Sequence, residues 1–437
     1  MLPPASLPMP SSWRNLLQEL APFFSRRSAH RLFVLLASGM ILADRSTVVA
    51  MAGAAGIGER WRRACWFFSG AVWDIDDLGV AIAKIVVKYL LSDIDPIVIA
   101  VDGTFFKRWG KKVAEARWAY DGSAQGGKKI AFGNTWVVAA IVVRLPFCPS
   151  PVALPALFRL WRGKGTDSQV QLAAQLLKLL AMAFPGRVIH GVGDAAFHGR
   201  PLVIEGLTWT TRLPSNGVLS GPAPERTGKP GRPAEKGARL GTCAEIAAAA
   251  SANWREVTVS TYGDDSAVQV TDTEALWHGS FGTAGGRLVL VKEPGSKKAY
   301  DLGLFTLDPD ADAVAVIERY SWRWPIEPSS ATGKQIIGVG GACNRTGPAV
   351  ERTVPFGFLI QTLLIVWYTR HGNAPADTDR RRQLCPWYRT KTSPAPADML
   401  AALRQQFTQA RISAMWPGQN RPDQFGPGTL TCDATAA

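Results

Sequence analysis

Two aspartates stand where short apolar runs end. Residues 97–101 (Ile-Val-Ile-Ala-Val) lead into Asp102, and residues 187–193 (Arg-Val-Ile-His-Gly-Val-Gly) lead into Asp194. Short apolar runs rich in β-branched residues read as buried strands, so each carboxylate is expected at a strand's C-terminal end. A single aspartate there is more often a turn or cap residue than a ligand. A third acid, Glu327, lies in a segment of different character, Tyr320-Ser-Trp-Arg323-Trp-Pro-Ile-Glu327-Pro-Ser-Ser-Ala-Thr-Gly-Lys334, where two cations and a phenol accompany the carboxylate. Carboxylate oxygens are hard donors that suit Mg²⁺, while Arg holds phosphate bidentately and Lys as a point charge. The set therefore points to phosphoryl transfer.

On an ideal helix at about 100° per residue, positions 320, 323, 327 and 334 fall within an arc of about 60°, so Tyr320, Arg323 and Lys334 are expected to flank Glu327. Pro325 interrupts that helix, because it has no amide hydrogen to donate. The sequence predicts a break near Trp324 and a new helix from about Ile326, with Pro328 in its first turn. The bland reading of the same residues is a buried helix held by salt bridges.

The segment spells Y-x2-R-x3-E-x6-K without a mismatch, and in this the sequence resembles the cut-and-paste insertion-sequence transposases of the DDE class. Val101-Asp102-Gly103-Thr104 and Val192-Gly193-Asp194-Ala195-Ala196 are similar to that family's first and second acidic motifs. The acids are 92 residues apart from 102 to 194 and 133 apart from 194 to 327. The resemblance covers about residues 96–411; residues 1–95 match only as a helical block of suitable length.

It implies an α/β fold: a ribonuclease H-like catalytic core with a β-rich insertion and an N-terminal helical domain. It implies Mg²⁺ as cofactor, with Mn²⁺ as a substitute, bound as a pair about 3.5–4 Å apart. Asp102 would be shared by both ions, with Asp194 and Glu327 each completing one side. Tyr320, Arg323 and Lys334 would grip the phosphate beside the scissile bond. The implied reaction cleaves double-stranded DNA at terminal inverted repeats and transfers the 3′ ends into target DNA, with a homodimer capturing two ends. Three rivals remain. A catalytically inactive or repurposed transposase-derived DNA-binding protein would bind ends in a salt-sensitive manner without cutting. A glycosidase with paired carboxylates would not account for the basic charge or for Arg323 and Lys334. A tyrosine recombinase would need Tyr320 as nucleophile.

The rest of the chain must position these groups. Its 437 residues are 47% hydrophobic, enough to bury a sizeable core in two or three domains. A formal charge of +14, from 49 Lys and Arg against 35 Asp and Glu, favours a polyanionic partner. Crossing a membrane takes roughly 20 consecutive apolar residues. The apolar stretches at 32–43 and 356–367 are shorter and interrupted, so they read as buried helices and no membrane partner is expected. Residues 1–10 lack the features of a signal peptide, and the six cysteines have no paired spacing; both suit a cytoplasmic protein, nucleoid-associated when bound to DNA.

Residues 1–95 read as a helical, DNA-end-binding domain with Arg60, Arg62, Arg63 and Lys84 among its apolar positions. Residues 96–213 read as the first part of the core, with strands at 97–101, 135–143, 152–160 and 187–194 and a helix over 167–183 capped by Asp167 or Ser168. Residues 214–305 read as the β-rich insertion. It opens with a Pro/Gly/Lys-rich loop in which Lys229 and Arg232 are candidate DNA contacts, and Trp254 or Trp277 is a candidate for stacking on an unpaired base. Residues 306–411 read as the second part of the core, with helices over 310–320, 354–368 and 397–410. Residues 412–437 read as a disordered tail.

Overall fold

In the computed structural model, which describes residues 7–122, 124, 129–224, 234–249 and 253–415, five helices come first. They are α1 (Ser11–Gln18), α2 (Arg27–Leu42), α3 (Val48–Ala54), α4 (Trp61–Ser69) and α5 (Ile75–Leu90). Four strands follow: β1 (Ile97–Lys107), β2 (Arg117–Tyr120), β3 (Ile130–Val143) and β4 (Val152–Trp161). Next are α6 (Gln169–Ala183), β5 (Ile189–Gly193), β6 (Thr208–Arg212), β7 (Val218–Ser220), β8 (Arg239–Thr242) and α7 (Cys243–Ala249). The outer strands are β9 (Arg255–Thr261), β10 (Asp264–Ala275), β11 (Gly286–Lys292) and β12 (Leu302–Thr306), with α8 (His278–Phe281) between β10 and β11. The chain closes with α9 (Ala313–Ser321), α10 (Ile326–Thr332), a π-helical turn (Gly333–Ile337), α11 (Gly347–His371), α12 (Ala374–Leu384) and α13 (Pro396–Met415).

The sheet is built around β1. Antiparallel β3 pairs with it on one side, parallel β5 on the other, and β6 lies parallel to β5, so four of its strands run β3-β1-β5-β6 with β4 outside β3. Three antiparallel strands followed by two parallel ones form a mixed α/β core consistent with a ribonuclease H-like domain. Residues 97–101 are buried without exception, which is what a strand covered on both faces requires. Helix α6 lies on β3 and β4, its start fixed by a capping box in which Ser168 and Gln171 satisfy each other's backbone.

Two expectations of domain organisation meet a different arrangement. The segment read as an insertion is continuous with the core sheet: β12 pairs with β6, and β11, β10 and β9 extend the same 10-stranded sheet. Among the described residues only β7 and β8 form a separate pair, flanking residues that lie outside the described ones. The five N-terminal helices likewise share one core with the rest of the chain. Phe33, Phe67 and Phe68 meet Phe356 of α11 edge-on, with centroids 5.1–6.4 Å away. Arg352 donates to the carbonyls of Phe68, Ala71 and Trp73, and Arg159 of β4 grips Asp76 of α5 through both carboxylate oxygens. The reason is α11. Eighteen of its residues are buried, from Ala349 to Tyr368; an apolar helix with no solvent face needs partners all round, and α1, α4 and α5 supply them against β4 on the other side. This helix is long and apolar enough to cross a membrane, but here it lies inside the protein.

Candidate functional site

The parallel pairing of β1 with β5 has Val101 opposite Gly193 as its last rung, and the pairing of β5 with β6 ends with Gly193 opposite Thr211. One residue further, Asp102, Asp194 and Arg212 stand at the same level across three neighbouring strands. Carboxyl ends of parallel strands are where open α/β sheets leave a crevice. Two glycines allow the strands to finish this way: a Cβ on Gly191 or Gly193 would come within 2.6 Å of the Trp209 ring, which lies across β5 from β6. Trp209 Nε1 donates to Phe197 O, closing the turn that follows Asp194. Asp194 Oδ1 accepts from Ala196 N at 2.9 Å, and its carbonyl accepts from Thr211 Oγ1 at 2.6 Å, so its backbone is tied to both flanking segments.

Glu327 reaches the same crevice from the helical side. Helix α9 ends at Ser321, four residues make single turns through the amides of Arg323, Trp324, Ile326 and Glu327, and α10 begins at Ile326. The break falls where Pro325 predicts it. The continuous ideal helix on which the four positions share an arc therefore does not exist, yet Arg323 Nη1 still meets Glu327 Oε1 at 2.8 Å across the break. Lys334 sits in the π-helical turn, with Nζ 4.8 Å from the centre of the Phe106 ring. Wide turns of this kind re-aim side chains and recur at functional sites.

Electrostatics shows which groups face one another. Burial pushes the Asp102 carboxyl up to about 6; its own Gly103 amide works against this, while like charge from Asp194 and Glu327 adds to it and Arg323 opposes it. Asp194, Glu327 and Arg323 thus each lie within electrostatic reach of Asp102. Burial lowers Lys334, and the carboxylates of Asp121 and Asp102 act to keep it charged. Burial raises Tyr320, while Arg323 and Arg212 act to lower it and Asp194 to raise it. The Tyr320 ring is buried in the outer core cluster beside Val316 and Ile317. Tyr320 is 8% exposed, and Arg323 is the charged group that acts on it most.

The other candidates fall elsewhere. Lys229 and Arg232 lie outside the described residues. Trp277 is buried, stacked on His198 at 4.7 Å and edge-on to Phe281 and Phe305, so it is a core residue and offers no face to a base. Trp254 is partly buried against the main core. Arg60, Arg62 and Arg63 are exposed at the start of α4, and Lys84 is exposed on α5. The sequence reading missed Arg212, which ends a strand of mostly polar residues, and Asp121, a buried acid paired with Lys107 at 3.1 Å. It also missed Arg108, whose buried guanidinium donates to Asn134 Oδ1 and to the carbonyls of Gly340 and Ala342, tying the end of β1 to the loop after Lys334.

The profile of the DDE superfamily endonuclease family matches residues 19–272. The chain belongs to that family. Members are nucleases of the transposase type, and their substrate is DNA. Asp102 and Asp194 fall within the matched span, as do the N-terminal helices from α2 onward; Glu327 and the segment 320–334 lie beyond it. No curated protein matches the chain.

Members of such families generally use divalent metals, and the donor set here is chemically suited to one. Three carboxylates offer hard oxygens, and Asp102 is raised by burial first and by like charge from Asp194 and Glu327 after it. Among the described residues, however, no three Asp, Glu, His or Cys side chains stand close enough to hold an ion as they are. Glu327 is turned onto Arg323, and Asp102 Oδ1 accepts from its own Gly103 amide at 2.7 Å. A cleft of about 540 Å³ opens beside the break, lined by Ser321, Trp324, Pro325 and Pro328 with Ser150 and Tyr262; none of the three acids lines it.

Proposed function

We propose that the protein is a DNA transposase that cleaves transposon terminal inverted repeats and joins the freed 3′ ends to target DNA, with Asp102, Asp194 and Glu327 as its catalytic carboxylates. The observation that carries the reading is the meeting of carboxylates from β1, the end of β5 and α10: burial first, with like charge from Asp194 and Glu327 adding to it, pushes Asp102 up to about 6 while the Arg323 guanidinium sits beside it. A structural ion pair needs one acid for Arg323, which Glu327 supplies; further acids beside it suit a site for a divalent cation.

Asp102, Asp194 and Glu327 would hold Mg²⁺, or Mn²⁺ in its place. When bound, the cation neutralises charge on the reacting phosphate and lowers the pKa of the attacking hydroxyl. The protein's own groups do the rest. Arg323 holds Glu327 until the site is loaded and then offers its fork to phosphate. Tyr320 keeps Arg323 in place and, with its pKa raised, remains a neutral phenol. Lys334 brings a partly desolvated positive charge to the Asp102 side of the groove. No covalent protein–DNA link is needed. Both DNA ends would be captured by a homodimer, and the N-terminal helices with Arg60, Arg62 and Arg63 are the expected end-binding surface.

The test is cleavage of a labelled duplex carrying the element's terminal repeat, with Mg²⁺, by the native protein and by Asp102→Asn, Asp194→Asn and Glu327→Gln. Each substitution is expected to lower cutting by about 10³-fold or more while leaving DNA binding in place, since several kcal/mol of transition-state stabilisation are removed. Binding without cutting by the native protein would instead support an inactive or repurposed DNA-binding derivative.

A further inference from the structure

Beyond Lys107, the sheet carries an exposed surface that the reaction just described does not use. Strands β2 and β3 form a hairpin at the sheet's edge, with Trp118 opposite Phe132 and Tyr120 opposite Ile130. Side chains alternate across a strand, so Trp118, Tyr120, Ile130 and Phe132 share one face. Trp118 is 72%, Tyr120 64% and Ile130 66% exposed. Burial explains none of the three, and contiguous apolar exposure of this kind marks an interaction surface.

The registers say which face it is. Asp102 pairs with Val138, Thr104 with Trp136 and Phe106 with Asn134, and the same alternation along β3 leads to Phe132 and Ile130. The aromatic surface therefore continues the face of the sheet that presents Asp102. From Val138 to Phe132 is six residues of β3, about 20 Å at the rise of a strand. Arg108, bound to Asn134 and to the loop after Lys334, fixes the base of this hairpin to the site.

Its charge is positive. Lys111 and Lys112 are exposed in the turn after β1, and Lys129 lies with Nζ 6.0 Å from the centre of the Tyr120 ring. The exposed acid of this segment, Glu115, faces Arg117 at 3.6 Å. Flat aromatic rings open to solvent and rimmed by lysines are what an unpaired nucleic-acid strand binds: bases stack on the rings and phosphates meet the ammonium groups. A second copy of this chain would meet like charge here.

We propose that the β2–β3 hairpin is a binding platform for an unpaired DNA strand leaving the carboxylate groove, with Trp118 and Tyr120 stacking bases and Lys111, Lys112 and Lys129 holding phosphates. The proposal rests on the nuclease reading for the identity of the strand, and it is tested separately from it. The full-length protein is titrated against a labelled oligothymidylate and, in parallel, a labelled blunt duplex, by fluorescence anisotropy. Trp118→Ala/Tyr120→Ala is expected to weaken oligothymidylate binding about tenfold or more and duplex binding far less, while Trp118→Phe/Tyr120→Phe, which keeps the rings, stays within about threefold of native. Lys111→Gln/Lys112→Gln, which leaves the apolar face intact, is expected to weaken binding and to flatten its salt dependence; it serves as the deciding variant where the alanine pair fails to fold. Unchanged oligothymidylate affinity in the folded variants overturns the platform. So does a fall in molecular mass by light scattering with unchanged affinity, which would assign the face to a second copy. Cleavage by Asp102→Asn reports on the parent reading alone: a platform that binds in a protein that never cuts leaves this proposal standing.

Discussion

Two of the places where carboxylates and guanidiniums meet in this molecule have opposite results. Among the C-terminal helices, Asp398 accepts from the Ala395 amide at 2.8 Å and from Arg381, and lies 3.1 Å from Lys391. Burial alone would raise it, but these three partners hold its carboxyl below the usual range. Asp377 beside it accepts from the Tyr368 hydroxyl at 2.8 Å. At the end of β1, burial pushes Asp102 up to about 6 and two like-charged neighbours add to this, with only one backbone partner and a guanidinium already engaged by Glu327 to set against it. Both sites are sheltered from water. The difference is whether the protein completes the neutralisation itself, and where it does not, the missing charge must come from something that binds.

Removing an acid should therefore have opposite effects on stability at the two sites. Asp398→Asn should destabilise by about 3 kcal/mol at neutral pH, because it removes a buried carboxylate from two partly buried cations, Arg381 and Lys391, and leaves them without their partner. A depressed folded pKa contributes stability above the unfolded value, and this is lost as pH falls through the folded one; urea unfolding should thus show the gap between native and Asp398→Asn closing below about pH 4. Asp102 works in the other sense. Its raised folded pKa contributes stability in full below about pH 4, and that contribution is lost as pH rises through about 6. In EDTA, Asp102→Asn should match the native protein at pH 4 and exceed it by about 2 kcal/mol at pH 8; a variant less stable than native at pH 8 breaks the comparison. The smallest effect sharpens it from outside both sites. Arg382 pairs with Asp379 on the exposed face of α12, and Arg382→Ala should shift stability by no more than about 0.5 kcal/mol in a thermal melt.

How legible this was follows from the same physics. Asp102 and Asp194 were readable because an apolar run that ends in an acid marks both a buried strand and its mouth. Arg212 stands at the same level, but Thr208–Arg212 has too little apolar content to announce a strand, and only the register with β5 places it. Pro325 announced the break before α10, whereas nothing in Gly333–Ile337 announces a π-helical turn, and an ideal helix aims Lys334 along a direction that the wider turn changes. The N-terminal helices were found in part, but periodicity says that a helix has an apolar face and not what covers it. The covering element, α11, lies hundreds of residues away.

The central claim is that three acids are held together for a divalent cation, and the most direct measurement is the melting temperature at pH 8 with and without Mg²⁺ for the native protein and the Asp102→Asn, Asp194→Asn and Glu327→Gln variants. The native protein should be stabilised as Mg²⁺ is added, by about 2.7 kcal/mol at a hundred times the dissociation constant, and each variant should lose most of that gain. Equal stabilisation of all four proteins, or none in the native one, would contradict the account.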